Sequence, residues 1–477
     1  MDRTSGNPTN ARNDSSVMVT PEDIEDFALG EDYALNADFV RMVVEAADRG
    51  DSARVRELMA ALHPADVADL MGFLSADDRE QIIPNIAPEA LAEILSELED
   101  GIRDEVLRTI APEALAKALE ELDSDDAVDL IEDLGDVKRR QVLAAMGDVD
   151  RTAIETALAY EEETAGRLMQ REVVDAPQFW TVGQTIEQVR SLGDDAPELF
   201  FEIYVVDPAH RPVGAVSVSM LLRATASMPL AEIMEPVTEI PVGMDQEEVA
   251  YIFDKYHLIS APVVDAAGRL VGQITVDDVV GVIQEETEED ILALAGVSDA
   301  GRDAGTVSIL RSRLPWLILN LATESVAVSV IHAFEHQIAQ LVTLAVLMPI
   351  VSSVGGSAGT QTLAVAVRSL ASRELNASNA VRIVVREMGV GIINGAVLAI
   401  VMAIACYLFF QDPRLSLTIG LALVINMFVA ACVGILVPLT LERMGRDPAV
   451  ASAVLITFVT DLMGFLSFLS LATVILL

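Results

Sequence analysis

The last third of the chain carries uncharged apolar runs longer than soluble domains use: residues 338–367, 388–410 and 415–441. Two more, 314–334 and 448–477, are each interrupted by a single acid, Glu324 and Asp461. A helix of about 20 apolar residues crosses a bilayer core, so the pattern predicts five transmembrane helices within residues 311–477. Arg311 and Arg313 precede the first span, Arg368, Arg373, Arg382 and Arg386 fill the second connection, and Arg443 and Arg446 the fourth. The first and third connections are short and hold one Arg. Basic residues stay on the cytoplasmic side, which predicts a multi-pass protein of the cell (inner or plasma) membrane with a cytoplasmic N-terminus and the C-terminus outside. The polar opening, residues 1–35, has no apolar core and is expected to be a disordered tail, not a signal peptide.

Charge divides the chain at the same place. Residues 1–300 carry a formal charge of −44 and residues 301–477 carry +1. So acidic a module is repelled by nucleic acid and by anionic lipid headgroups, which excludes a nucleic-acid partner and makes cations the natural one. A merely solvated acidic face has the same composition. Cys406 and Cys432 both fall inside spans and offer no disulfide or metal spacing.

Two internal duplications organise the acidic part. Over 36–160, Pro64, Pro88 and Pro112 recur every 24 residues, as do Leu74, Leu98 and Leu122. Each unit starts a helix on Pro and adds a second amphipathic helix, the pattern of a short α-solenoid. Its acids, Asp125 and Asp129 among them, sit near helix starts, where capping is an ordinary role. The second duplication aligns Asp207 with Asp265, Gly214 with Gly272 and Ser217 with Thr275, and its copies open at Met169 and Met234. It resembles a tandem of CBS domains, α+β units, over 161–228 and 229–284. That resemblance implies a possible adenine nucleotide such as ATP, held where Gly-x-x-Ser/Thr-x-x-Asp ends in a ribose-binding Asp. The second copy has the pattern as Gly272, Thr275 and Asp278, and the first has Met220 in place of the Asp. A carboxylate-rich connecting segment follows over 285–310, with Glu286, Glu289 and Asp290, and reads either as a solvated spacer or as the covalent route to the membrane domain.

The membrane motifs carry the chemistry. Pro349 with Gly355, Gly356 and Gly359 is expected to break the second span into irregular backbone with free carbonyls, a conformation tolerated in a membrane only beside protein or a watery cavity. Gly356 and Gly359 are therefore expected to resist substitution more than Gly391 or Gly395. Asp461 sits within an apolar helix at a cost of roughly 2.5–3.5 kcal/mol, as ion paths and proton relays do. His332 and His336 flank Glu335 in the spacing of an inverted zinc-protease motif, without the later acidic motif a metallopeptidase needs.

The Gly-Gly-Ser-Ala-Gly segment after Pro349, the run RDPAVASAVLITFVTDLMGF, five spans, the CBS tandem and the helical repeat together resemble the MgtE family of magnesium channels. The resemblance implies a multidomain membrane protein: N-terminal α-solenoid, tandem CBS domains, plug-like connecting helix and a five-helix transmembrane domain. It implies a homodimer with the pore between the second and fifth spans, Mg2+ as cargo, and no catalytic residues. The pore carboxylate falls on Asp461, the carbonyl glycines on Gly356 and Gly359, a backbone ligand on Thr457, and an acid at the entrance on Asp447. Ser357 stands where the family commonly has Asn. Mg2+ prefers six oxygens and gives up water reluctantly, so carboxylates and carbonyls suit it, and the absence of a Cys or His cluster disfavours zinc or copper. Asp125, Asp129, Asp278, Glu286, Glu289 and Asp290 repel one another when free, and cytoplasmic Mg2+ bridging them would favour a compact state; the resemblance implies that this state is closed. Two other classes remain open: a proton-coupled carrier of a divalent cation such as Co2+ or Mn2+, and a membrane-anchored nucleotide sensor.

Overall fold

The computed structural model describes residues 24, 27–30, 34–193, 197, 199–295, 297, 306–371, 373, 375, 379–445, 447–449 and 452–477. Most of the expected tail, residues 296 and 298–305 of the connecting segment and Arg446 lie outside these residues. The chain forms two compact units, Met1–Val280 and Gly281–Leu477.

The first unit opens with short helices that follow the 24-residue period. Pro64, Pro88 and Pro112 each occupy the first turn of a helix, Pro64–Phe73, Pro88–Ser96 and Pro112–Leu119. Proline is suited there because that N–H has no partner within the helix. Met71, Leu95 and Leu119 recur at the same interval and are fully buried, so each repeat completes its neighbour's core. The period also sets an ion-pair ladder: Arg79 pairs with Glu105 at 2.7 Å and, one repeat on, Arg103 pairs with Asp129 at 2.8 Å.

Two three-stranded sheets follow with identical topology. In the first, β1 (Asp175–Pro177) runs parallel to β2 (Glu202–Val206), which pairs antiparallel with β3 (Pro212–Ser217). In the second, β4 (Ile240–Pro241), β5 (Ser260–Val264) and β6 (Leu270–Thr275) repeat that order, and both sheets shift register at the same point, Val205/Val206 and Val263/Val264. The halves clasp each other. Gln170, at the opening of the first copy, bridges to Gln273 of β6, and Glu235, at the opening of the second, bridges to Ala215 of β3. The aligned glycines make this possible. A Cβ on Gly272 would lie 2.6 Å from the Gln170 carbonyl oxygen, and one on Gly214 would lie 2.8 Å from that of Glu235.

Among its described residues the second unit contains five helices long and apolar enough to cross a membrane: Thr306–Ala333, Thr343–Ala371, Ala380–Phe410, Pro413–Arg443 and Ser452–Ile475. The fourth is the most buried, and the second, third and fifth pack on it. One expectation fails here. The second span is a continuous helix from Thr343 to Ala371 with Pro349 inside it, not an irregular segment. Its glycines act as small-residue contacts that let backbones approach, the usual means of helix association where lipid offers no hydrophobic drive. The histidine motif also dissolves. The first span ends at Ala333, so His332 and His336 lie on successive helices, where they contact Glu335 and Gln340.

Candidate functional site

Asp461 lies in the middle of the fifth span, and Ser352 of the second span donates its hydroxyl to Asp461 Oδ1. The hydroxyls of Thr457 and Thr460 bond back to carbonyls of their own helix, those of Ala453 and Ile456. Gly356 and Gly359 face the same helix: a Cβ on Gly356 would come no closer than 3.8 Å, to Thr460 Oγ1, whereas one on Gly359 would lie 2.4 Å from Ile456. The Gly356 carbonyl accepts a 3.0 Å bond from Thr360 Oγ1, so it is engaged within its helix instead of freed by a break. Glu324, the single acid of the first span, is in side-chain contact with Asp461.

Sequence reasoning missed the residue that holds these helices together. Asn426 of the fourth span is fully buried, and its amide donates to the Val351 carbonyl at 2.8 Å. It fills the notch of Gly355, where a Cβ would lie 2.0 Å from Asn426 Nδ2, and it reaches Gly464 of the fifth span. An Asn in an uncharged span was the available signal, because a polar side chain in hydrocarbon must find a partner. The expected ranking of glycines changes accordingly. A Cβ on Gly391 would lie 2.6 Å from Ala431 Cβ and one on Gly395 3.0 Å from Met427 Cβ, both on the fourth span, so they are not the tolerant pair. Gly355→Ala and Gly391→Ala are expected to reduce properly folded protein severalfold in detergent size exclusion, while Gly356→Ala folds normally and alters only ion passage. Equal yields for all three would contradict this packing.

The acids expected to bind regulatory Mg2+ fall into two sets. In the first unit, Asp125 and Asp126, in the first turn of helix Ser124–Glu132, meet Asp278, in the first turn of helix Val276–Leu294. Ser124, hydrogen-bonded through Oγ to Glu172 at 2.8 Å, ties that solenoid helix to the first CBS copy and fixes the approach. Burial, then Asp278, Asp126 and Asp123, hold the Asp125 carboxyl well above the usual range, and Asp126 is pushed up to about 7 by burial and then by Asp278, Asp123, Asp129 and Glu97. Asp278 is raised by burial, against two bonds from Thr275 N and Oγ1 at 3.0 and 2.6 Å. Asp125 Oδ1 is buried without a hydrogen-bond partner. Such an orphaned oxygen among carboxylates suits a cation. Asp129 is Arg103's partner in the ladder and also acts on the Asp126 carboxyl, and Asp126, which sequence reading did not select, is itself acted on by Asp278.

In the second unit, burial followed by Asp447 and Glu286 raises the Asp290 carboxyl. Glu289 is exposed on the same helix. Asp447 accepts the Ala449 N–H at 2.7 Å just before the fifth span, and Ala293 and Leu294, ending the connecting helix, pack with Val367 and Ile456 of the second and fifth spans. Glu286, Asp290 and Asp447 thus gather at one end of the spans that carry Ser352 and Asp461.

The CBS tandem contains a cavity of about 180 Å3 at the first-copy motif, lined by Glu202, Ser217, Met220, Glu235, Thr238 and Ser260 with apolar neighbours. Thr275 and Asp278, the second-copy motif, are engaged with each other, and Asp278 faces the solenoid acids.

Comparison with known proteins places these features together. Residues 348–471 match the family profile described as divalent cation transporter, 62–163 the MgtE intracellular N domain, and 230–285 the CBS domain. The magnesium transporter MgtE of Thermus thermophilus is 35% identical over 442 residues, covering 91% of this chain and 97% of that protein. That of Bacillus subtilis is 31% identical over 353 residues, covering 74% and 78% respectively. A crystal structure of the cytosolic domain of the Mg2+ channel MgtE in complex with ATP is 34% identical, with a TM-score of 0.49, and covers 51% of this chain and 99% of that one. The chain is a multi-pass membrane protein and belongs to the MgtE family of magnesium transporters.

Proposed function

We propose that the chain is the subunit of a homodimeric, Mg2+-selective channel that mediates magnesium uptake across the cell membrane, with its N-terminus cytoplasmic and its C-terminus outside. The observation that carries this is Asp461, a carboxylate at mid-depth of the fifth span facing Ser352 of the second, beside Thr460, which faces Gly356. A carboxylate from each subunit would leave Mg2+ most of its water while compensating its charge. Cytoplasmic Mg2+ would bind between Asp125, Asp126 and Asp278 and among Glu286, Asp290 and Asp447, and would stabilise a closed arrangement. Purified protein in planar bilayers is expected to give single-channel currents carried by Mg2+ that fall as Mg2+ rises on the cytoplasmic side. Mg2+ uptake without discrete currents would overturn the channel reading.

One observation favours a second reading. Glu324 touches Asp461, and two carboxyl groups in contact offer a place for a proton as well as for a cation. A proton-coupled carrier would show uptake driven by an imposed pH gradient and no unitary currents, which separates the two.

A further inference from the structure

The family resemblance implies an adenine nucleotide in the CBS tandem, and the ATP complex of the related cytosolic domain makes the question concrete. Phosphate chains are held by backbone N–H groups at helix starts, by Arg or by Lys. Among the described residues the cleft at the first-copy motif offers none of these side chains: no Lys, Arg or His lines it, while two carboxylates, Glu202 and Glu235, do. Glu202 is partly buried and already accepts a 3.1 Å bond from Ser260 Oγ. Burial, and then Glu235, raise its carboxyl, so this environment already resists one negative charge. Met220 lines the same cleft where the motif calls for the Asp that binds ribose hydroxyls, so that anchor is missing too.

The second-copy motif fails for a different reason. It has its Asp, but Thr275 N and Oγ1 both donate to Asp278 Oδ2, and the carboxylate is in contact with Asp125. Asp126 and Asp277 also act on this group of acids. A polyphosphate there would meet several carboxylates at once, in surroundings too poorly solvated to screen them.

We infer that the CBS tandem of this chain takes no nucleoside polyphosphate, and that any small molecule in the first-copy cleft carries a hydrogen-bond donor or positive charge for Glu202 and no phosphate chain. The Mg2+ response of the soluble module is then independent of ATP. This concerns binding alone and stands or falls apart from the channel reading.

The test uses the full-length protein in detergent, with radiolabelled ATP in equilibrium dialysis and limited proteolysis across a Mg2+ titration in which free Mg2+ is matched at every point with and without ATP. Wild type is expected to show no saturable ATP binding through the millimolar range, and a protease-protection midpoint unchanged by ATP. The variant Glu202→Gln/Glu235→Gln/Met220→Asp, which removes both charges and supplies the ribose acceptor, is expected to gain at least about tenfold in ATP affinity, or about 1.4 kcal/mol. Met220→Asp alone serves as a milder change if the triple variant misfolds. Saturable submillimolar binding by wild type, or an ATP-shifted midpoint, would overturn the inference. Failure of both variants to gain any affinity would overturn its electrostatic basis.

Discussion

Asp461→Ala is expected to lower Mg2+ uptake into proteoliposomes by about two to three decades while the protein elutes as wild type. Withdrawing one partner from a buried, charge-paired site costs about 3–5 kcal/mol, and each 1.4 kcal/mol is tenfold in occupancy. The substitution leaves little to disturb the fold. Asp461 is half-buried, its hydrogen bond from Ser352 is to a single oxygen, and an acid in a span costs free energy when empty. Asp461→Asn keeps the acceptor for Ser352 and loses the charge, so it should fold at least as stably and pass monovalent ions in preference to Mg2+. Wild-type Mg2+ uptake by the Ala variant would remove Asp461 from the ion path.

The second large effect concerns the solenoid–CBS acids. Asp125→Asn/Asp126→Asn/Asp278→Asn is expected to abolish the Mg2+ dependence of protease protection in the soluble part. Moving a two-state equilibrium from 1:99 to 99:1 requires about 5.5 kcal/mol of differential binding, and uncharged amides cannot supply it through Mg2+. Protons should imitate the cation. The Asp126 carboxyl titrates at about 7 in the folded chain against 3.8 when exposed, so the folded arrangement binds the proton more tightly. Its stability is full at acid pH, declines as pH rises between those values, and is flat above about 7. Without divalent cations, protection should therefore be stronger at pH 6 than at pH 8, and the triple variant should lose that difference. A variant that keeps wild-type Mg2+ and pH responses would leave these acids as a solvated face. Asp129→Asn provides the contrast. Losing its bond to Arg103, which also reaches Asp133 at 2.7 Å, should lower thermal stability by about 1 kcal/mol and leave the Mg2+ midpoint in place.

Local signals in the sequence carried far. The spans follow from run length, the solenoid from the spacing of Pro64, Pro88 and Pro112, and the equivalence of Gly214 with Gly272 from the aligned copies. The structure gives each of those glycines the same task, a close backbone approach to the facing copy. What stayed hidden depends on partners distant along the chain. Glycines and a proline read as a broken span because local propensity disfavours them, whereas Asn426 packing into Gly355 explains how the helix survives. Asp129 and Asp126 are indistinguishable by composition. Only the position of Arg103, 26 residues away, turns one into a rung of the ladder and leaves the other beside Asp278.

The reciprocal clasp of the two CBS copies has a consequence for how the protein is made. The Gln170 side chain waits for Gln273, 103 residues later, to supply its 2.8 Å amide bond. At about 5–20 residues per second, the ribosome leaves the first copy's opening segment unpaired for roughly 5–20 s. For a shorter time, roughly 1–4 s, β3 also lacks Glu235, so the nascent first copy exposes a sheet edge with nothing to cover it. Truncations that stop between the copies should accumulate with chaperones, and those that extend just past β6 should be released from them.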